Sequence, residues 1–290
     1  MLASMQPRQL GDAGPIISAV GLGGMLLSIS GRPPEDQGLA TIHAALDAGV
    51  TFIDTADAYC LDDGDFNHSE KLIAQALKDR PEEVTIATKC AVRRPRGAWT
   101  VDARPEYLLE AAEKSLRALQ VEALDLLQLH APDSHVPFAD SVGALAKLRE
   151  QGKVKQVGLS NVNVAQIEQA RKIVPIASVQ NRYNPNDRRP EKDGVLDYCT
   201  RHRLLFIAYS PFGGTLGAPT LVTLGKLADE ARKRRVSPYR LVVAWLLAKS
   251  PQLVAIVGAR RPESITDSAA AGNMELDSDD VKAIEAAFAA

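Results

Sequence analysis

The sequence predicts an α/β protein built as a (β/α)8 TIM barrel with an N-terminal β-hairpin cap. Two patterns and the chain length support this fold. Short apolar segments alternate with amphipathic ones between residues 19 and 271, which gives eight strand-then-helix units. Nearly every predicted strand is apolar on both faces, as expected of parallel strands covered by helices. The 290 residues fit one such domain, spanning residues 1–290.

The first half of the chain contains the hairpin and four strand-then-helix units. The hairpin is predicted over residues 6–18, around a Gly-Asp-Ala-Gly turn. The predicted strands are 19–24, 50–54, 84–88 and 124–129, and the predicted helices are 34–48, 69–77, 105–119 and 138–151. Gly49 and Gly152 follow two of the helices as expected stops. Ser69 is the expected cap of the second helix, and Pro105 opens the third.

The second half continues the alternation and argues against a different α/β fold. The predicted strands are 154–159, 177–180, 204–209 and 253–257, and the predicted helices are 164–173, 194–202, 221–235, 238–249 and 262–271. A doubly wound nucleotide-binding sheet would need a Gly-x-Gly-x-x-Gly turn after its first strand. The segment 21–26 lacks the third glycine, so the closed barrel is favoured.

Composition narrows the class of protein. The 34 basic and 36 acidic residues give a formal charge of -2, so neither a nucleic acid nor a membrane surface is an expected partner. No apolar run reaches the roughly 18 residues of a membrane span, and the N-terminus has no signal-peptide pattern. We therefore expect a cytoplasmic protein that is a monomer or a weak oligomer. Cys60, Cys90 and Cys199 lack Cys-x-x-Cys spacing, which predicts reduced thiols and no metal site.

Polar residues stand where the predicted strands end, which is where TIM barrels have their active sites. Together with one glycine they are Asp54, Lys89, His130, Ser160, Asn161, Gln180, Tyr209, Ser210 and Gly258. Tyr59 follows five positions after Asp54. A phenol has an ordinary pKa of about 10, so a tyrosine that donates a proton needs a cation nearby, and Lys89 and His130 are the candidates. Asp57 is expected to be a loop or capping carboxylate.

The order of these residues resembles that of the aldo-keto reductase family, over essentially the whole chain. The resemblance is carried by Asp54-Thr55-Ala56-x-x-Tyr59, Thr88-Lys89, Leu129-His130, Gly158-Leu159-Ser160-Asn161, Val179-Gln180-Asn181, Tyr209-Ser210-Pro211 and Gly258-Ala259-Arg260-Arg261. The short stretch after Ser210 is similar to bacterial members. The resemblance implies NADPH-dependent reduction of a small aldehyde or ketone to an alcohol.

The resemblance also implies roles for four catalytic residues. Tyr59 would donate the proton to the carbonyl oxygen, and Lys89 would stabilise the phenolate and lower the pKa of Tyr59. Asp54 would pair with Lys89, so that the ammonium is not a lone buried charge. His130 would bind and orient the carbonyl oxygen.

A larger set of residues is expected to bind NADPH. Ser160, Asn161 and Gln180 would bind the nicotinamide carboxamide, and Tyr209 would stack on the ring. Arg260 and Arg261 precede a helix that opens with proline, which suits the 2'-phosphate. The full set implied is Gly24, Met25, Asp54, Ser160, Asn161, Gln180, Tyr209, Ser210, Pro211, Phe212, Gly258, Ala259, Arg260, Arg261, Ser264, Asp267 and Ser268. The family often has Lys, Arg and Asn where this chain has Gly258, Ser264 and Ser268.

The substrate is the part least constrained by the sequence. The candidates for the pocket wall are Met25, Trp99, Pro132 and Phe212. Arginines in the 92–99 loop could face an anionic substrate, or the loop could be a solvated basic segment anchored by Trp99. Aromatic aldehydes such as pyridoxal are among the candidate substrates. Two other functions stay open: an NADPH-binding regulatory subunit with little turnover, and a lyase or isomerase that uses Lys89 as a Schiff-base amine.

Overall fold

The computed structural model describes residues 5–221, 223 and 225–288. In chain order the strands are β1 (Pro7–Gln9), β2 (Ile16–Ser18), β3 (Val20–Gly23), β4 (Phe52–Asp54), β5 (Thr85–Cys90), β6 (Val92–Arg93), β7 (Thr100–Val101), β8 (Leu124–Leu129), β9 (Val154–Ser160), β10 (Ile176–Arg182), β11 (Leu205–Tyr209) and β12 (Leu253–Gly258). Eight of them close a parallel barrel in chain order, with β12 pairing to β3. β1 with β2, and β6 with β7, form antiparallel hairpins.

Helices cover the outside of the barrel. They are α1 (Glu35–Asp47), α2 (His68–Leu77), α3 (Pro105–Leu119), α4 (Phe138–Glu150), α5 (Val164–Arg171), α6 (Arg189–Lys192), α7 (Val195–Arg201), α8 (Gly214–Leu221), α9 (Gly225–Lys233), α10 (Pro238–Ala248), α11 (Pro262–Ala269) and α12 (Ser278–Phe288). Within the described part of the chain, none of these helices combines the length and apolar character needed to cross a membrane. The predicted (β/α)8 barrel is confirmed.

The first hairpin closes the barrel at the amino ends of the strands, as predicted. Leu10 and Ile17 are buried in one apolar cluster with side chains from the barrel interior, which are Phe52, Ala87, Leu126, Ala177, Leu205, Ile207, Val254 and Ile256. Arg8 Nε donates to the carbonyl of Leu253 at the start of β12, 2.9 Å away. Because this end is plugged by apolar side chains, only the carboxyl ends of the strands are open to form a site.

Two local predictions differ from the structure, and some elements were not predicted. The predicted helix 221–235 is found over a shorter range as α9, the preceding helix α8 was not predicted, and residues 222 and 224 lie outside the described residues. Glycines and Pro219 make the sequence of α8 unlike that of a typical helix, which is why it was not predicted. Ser69 is not a cap, because α2 begins at His68 and the Ser69 hydroxyl accepts a hydrogen bond from Thr55 Oγ1. The β6–β7 hairpin and α12 were not predicted.

Candidate active site

A buried cluster of hydrogen bonds at the carboxyl end of the barrel joins three of the four predicted catalytic residues. Lys89 is 0% exposed, and its ammonium donates to three oxygens: Asp54 Oδ1 at 2.5 Å, the Thr55 carbonyl at 2.8 Å and Tyr59 Oη at 3.3 Å. These bonds use all three N–H groups of the ammonium. The fourth predicted residue, His130, lies beside them with its ring centroid 5.8 Å from that of Tyr59.

The loop that carries Tyr59 is fixed by main-chain hydrogen bonds to the neighbouring strand and helix. Thr55 N donates to the Ala87 carbonyl at 2.7 Å, and Asp57 N donates to the Lys89 carbonyl at 3.2 Å. On the other side, Ser69 N at the start of α2 donates to the Tyr59 carbonyl at 3.2 Å. The strand that carries Lys89 therefore also positions the loop that carries Tyr59.

Asp54 has two further partners, and one of them was not predicted. Gln180 Nε2 donates to Asp54 Oδ2 at 2.7 Å, and Gln128 Nε2 donates to the same oxygen at 3.3 Å. Both glutamines are buried. The Gln180 amide nitrogen, expected to face a nicotinamide, is thus engaged with Asp54. A signal for Gln128 was available, since it lies two positions before His130 and alternate residues of a strand share a face.

The expected lowering of the Tyr59 pKa is not found. Burial raises the pKa of Tyr59 above its ordinary value, and the attraction of Lys89 only partly offsets this. Lys89 is itself paired with Asp54 at 2.5 Å, and the Asp54 charge opposes part of the effect of Lys89 on the Tyr59 pKa. Tyr59 therefore stays protonated throughout the neutral range.

The charge states of Lys89 and His130 follow from their surroundings. Burial alone would lower the pKa of Lys89, but the negative charge of Asp54 raises it above its ordinary value, so the amine is held as an ammonium. A protonated amine is not the nucleophile that a Schiff base requires. Burial and the charge of Lys89 hold the pKa of His130 well below its usual range, and its imidazole is neutral. Its Nδ1 is buried without a partner among the described residues.

Two buried acids, Asp57 and Glu70, lie in the Tyr59 loop and in the helix that follows it, α2. Asp57 is fully buried, and within the described chain neither of its carboxyl oxygens has a hydrogen-bond partner. Glu70 is also fully buried, and it accepts hydrogen bonds from Thr88 Oγ1 at 2.6 Å and from Asn67 Nδ2. Burial and the nearby Glu70 raise the pKa of Asp57 well above its ordinary value. Asp57 is thus a loop carboxylate, one of the two predicted possibilities, but a buried one whose burial favours the neutral form.

Replacing Asp57 with asparagine should remove a loss of folding stability that grows with pH. A carboxyl whose pKa is raised in the folded state stabilises the fold below its unfolded pKa and loses that contribution as pH rises. Between pH 5 and the pKa of Asp57 in the folded state, the free energy of unfolding of the unsubstituted protein should therefore fall, relative to that of Asp57→Asn, by up to about 1.4 kcal/mol per pH unit. Urea unfolding of both proteins at several pH values measures this. A stability difference that does not change with pH would show that Asp57 is ionised in the fold.

The residues predicted to face the nicotinamide lie on or directly after three neighbouring strands, β9, β10 and β11. Ser160 and Gln180 are buried at the ends of adjacent strands, β9 and β10. Asn161 has a φ of 58°, and its side chain connects two neighbours. Its Nδ2 donates to the His130 carbonyl at 2.9 Å, and its Oδ1 accepts from the Tyr209 hydroxyl at 2.8 Å. A rim of amide and hydroxyl groups thus runs from His130 to Tyr209.

The two arginines after β12 lie next to this rim, because β12 pairs with β11, the strand that carries Tyr209. Arg260 Nε is buried without a partner in the described residues, and no carboxylate there lies within 4.0 Å of either guanidinium. Arg261 is the N-cap residue of α11. Asp267, one of the residues expected to bind NADPH, pairs with Arg240 at 2.7 Å. An unpartnered buried guanidinium N–H beside a helix N-terminus fits an anionic group such as a phosphate.

The remaining predicted cofactor residues line the same mouth. They lie in the loops after β3 and β11, at and directly after the end of β12, and within α11: Gly24, Met25, Ser210, Pro211, Phe212, Gly258, Ala259, Ser264 and Ser268. Gly24 has no room for a side chain, because a Cβ there would lie 2.8 Å from Ser69 Oγ. Ser268 is buried within α11.

Trp99 is the pocket-wall candidate that the structure places against Tyr59. Their rings meet edge to face with centroids 6.4 Å apart. The Phe212 ring instead packs edge-on against Tyr239 of α10, with centroids 5.1 Å apart. Met25 is the second residue after β3, and Pro132 lies in the loop after His130. The wall beside Tyr59 is thus built by the β6–β7 hairpin.

Comparison with known proteins finds relatives that match this chain over most of its length. A sequence model described as the Aldo/keto reductase family matches residues 19–289. Pyridoxine 4-dehydrogenase of Escherichia coli K12 is 32% identical over 271 residues, which cover 90% of this chain and 91% of that protein.

Solved structures share the fold closely. The glycerol dehydrogenase AKR11B4 from Gluconobacter oxydans superposes with a TM-score of 0.84 at 29% identity, over 98% of this chain and 95% of that one. An aldo/keto reductase from Klebsiella pneumoniae, solved with NADP and acetate, gives a TM-score of 0.83 at 25% identity, over 98% and 95% of the two chains.

Proposed function

The chain belongs to the aldo/keto reductase family, and we propose that it is an NADPH-dependent oxidoreductase that reduces an aldehyde or ketone to an alcohol. The observation that carries this proposal is the Lys89 ammonium, which donates both to Asp54 and to the Tyr59 hydroxyl. A phenol beside a fixed ammonium at the open end of a barrel is suited to give a proton to a substrate oxygen.

NADPH, when bound, supplies the hydride that reduces the carbonyl carbon. Tyr59 transfers its hydroxyl proton to the carbonyl oxygen. The alkoxide that would otherwise form is a far stronger base than a phenolate, so the transfer is favourable even with the pKa of Tyr59 raised. Lys89 then stabilises the phenolate from 3.3 Å, and Asp54 holds the ammonium in place. The attraction between Lys89 and Tyr59 is strongest once Tyr59 carries negative charge, so it stabilises the transition state more than the ground state.

His130 acts as a neutral hydrogen-bond donor in this proposal. Because its pKa is held well below the usual range, its imidazole carries one ring proton at neutral pH. A neutral imidazole N–H orients the carbonyl oxygen towards Tyr59 and polarises it without competing to deliver the proton. Tyr59 is thereby left as the acid.

The proposed cofactor site extends along the neighbouring strands β9, β10, β11 and β12 to the start of α11. Ser160, Asn161 and Tyr209 would hold the nicotinamide end, with Gln180 acting mainly through Asp54. Arg260 and Arg261 would bind the 2'-phosphate at the start of α11. The unpartnered Arg260 Nε supports this assignment, as does the Klebsiella relative solved with NADP.

Cofactor preference and turnover on a carbonyl panel test the proposal. We expect multiple turnovers with NADPH on at least one aldehyde, with pyridoxal in the panel because of the pyridoxine 4-dehydrogenase relative. Arg260→Met should raise the KM for NADPH by about 10- to 100-fold, the effect of one charge-assisted hydrogen bond, with little change for NADH. Arg203→Met, an exposed substitution at the closed end of the barrel, is the control. An equal or better rate with NADH would refute the preference.

A further inference from the structure

Arg94 is a buried cation with few partners. It lies between β6 and the turn at residues 95–97, and it is 5% exposed. Its Nη2 donates to the Leu61 carbonyl at 3.1 Å, while its Nε is buried without a partner among the described residues. A guanidinium has five N–H donors, and within the described residues the Leu61 carbonyl accepts from only one of them.

No carboxylate of the described chain lies within 4.0 Å of the Arg94 guanidinium, although several stabilise other arginines. Two of the three acids in the facing 61–65 segment are engaged elsewhere. Asp65 pairs with Arg32 at 2.5 Å, and Asp62 accepts from Gly64 N at 2.9 Å. A buried charge normally has a partner of opposite sign, since leaving it unpaired is costly. The missing partner can therefore come from a bound molecule.

The side chain that covers Arg94 is itself loosely held. The guanidinium carbon lies 3.9 Å from the centroid of the Trp99 ring, which is 49% exposed. Within the described residues the indole N–H of Trp99 donates no hydrogen bond, so stacking on Arg94 and edge contact with Tyr59 hold the ring. Leu61 and Val101 are also exposed apolar side chains on these two segments. Rotation of Trp99 would open Arg94 to the space in front of Tyr59 while breaking few contacts.

We propose that Arg94 is a substrate-binding residue that recognises a carboxylate on an aromatic carbonyl substrate, with Trp99 stacking on the substrate's ring. The carbonyl would sit at Tyr59, and the carboxylate would supply the counter-charge that Arg94 lacks. This assignment deepens the proposed reductase function and rests on it.

Paired substrates that differ only in charge test the proposal. The probes are 4-formylbenzoate with its methyl ester, and the longer 4-formylcinnamate with its methyl ester, so that two distances from carbonyl to charge are sampled. The native protein should prefer at least one acid over its ester in kcat/KM. Arg94→Met should lower that acid-to-ester ratio by about 10- to 100-fold, and Arg94→Lys should retain part of it.

Arg93→Met is the matched control. Arg93 is the adjacent basic residue, but it lies near Asp102 at 3.7 Å and is half exposed, so its loss should leave the ratio within about twofold, as for an exposed ion pair. A purely structural role for Arg94 would lower kcat/KM for acid and ester equally. An unchanged ratio in Arg94→Met with both probe pairs would overturn the proposal.

A binding measurement separates this inference from the reductase function. Terephthalate resembles 4-formylbenzoate but has no reducible carbonyl, and Trp99 is the exposed one of the two tryptophans. Terephthalate should quench Trp99 fluorescence in the native protein and bind about 10-fold more weakly to Arg94→Met. If no carbonyl is reduced but this difference is seen, the reductase proposal fails and the Arg94 site stands. If carbonyls are reduced and no difference is seen, the Arg94 site fails alone.

Discussion

Replacing Tyr59 with phenylalanine is expected to lower kcat/KM for carbonyl reduction by about 10²- to 10⁴-fold, the usual contribution of a positioned general acid. The substitution removes one oxygen and keeps the ring, so the edge contact with Trp99 and the packing beside His130 are preserved. Lys89 keeps its bonds to Asp54 and Thr55. The loss should therefore fall on proton transfer.

Steady-state reduction and a fluorescence titration with NADPH together measure this effect. The dissociation constant of NADPH should stay within about twofold, because no proposed cofactor contact is removed. Tyr107→Phe is the matched control: its hydroxyl donates to the Val92 carbonyl at 3.3 Å, outside the Lys89 cluster. Undiminished reduction by Tyr59→Phe would remove Tyr59 from the mechanism.

Replacing Lys89 with methionine is expected to damage both activity and stability. The substitution leaves the Asp54 carboxylate buried without its cation, and breaking a buried ion pair in this way costs about 3–5 kcal/mol. The phenolate of Tyr59 also loses its stabilising ammonium, so kcat/KM should fall by at least about 10²-fold. Urea unfolding and steady-state kinetics measure the two losses.

The double variant Asp54→Asn/Lys89→Met separates charge balance from catalysis. Removing both charges eliminates the unpaired carboxylate, so stability should recover most of the loss, as replacements of whole buried ion pairs often do. Activity should stay as low as in Lys89→Met, because the ammonium is still absent. A double variant less stable than Lys89→Met would show that the pair is not the source of the stability loss.

The barrel and its cluster of strand-end residues were predictable because two simple patterns determine them. Apolar runs separated by amphipathic ones give parallel strands, and parallel strands place their carboxyl ends at one edge. Asp54 and Lys89 could therefore be placed together although they are 35 positions apart. The Tyr59–Lys89 contact follows from the same convergence.

The electrostatics of the site could not be predicted from residue order. The direction of the Tyr59 pKa shift depends on whether burial outweighs Lys89, and that balance is set by the partner Lys89 already has in Asp54. The burial of Asp57 depends in the same way on how α2 packs over the loop, which the sequence does not specify. Arg94 lay in a segment that resembled a solvated loop, and only packing under Trp99 distinguishes it.

The number of NADPH molecules oxidised per protein molecule, in the presence of excess aldehyde, distinguishes a reductase from a protein that only holds its cofactor. A reductase built on the Asp54–Lys89–Tyr59 cluster should oxidise many equivalents of NADPH, form an equal amount of alcohol, and lose this turnover in Tyr59→Phe. Oxidation that stops at one equivalent with every carbonyl in the panel would contradict the proposed function and favour a regulatory NADPH-binding role.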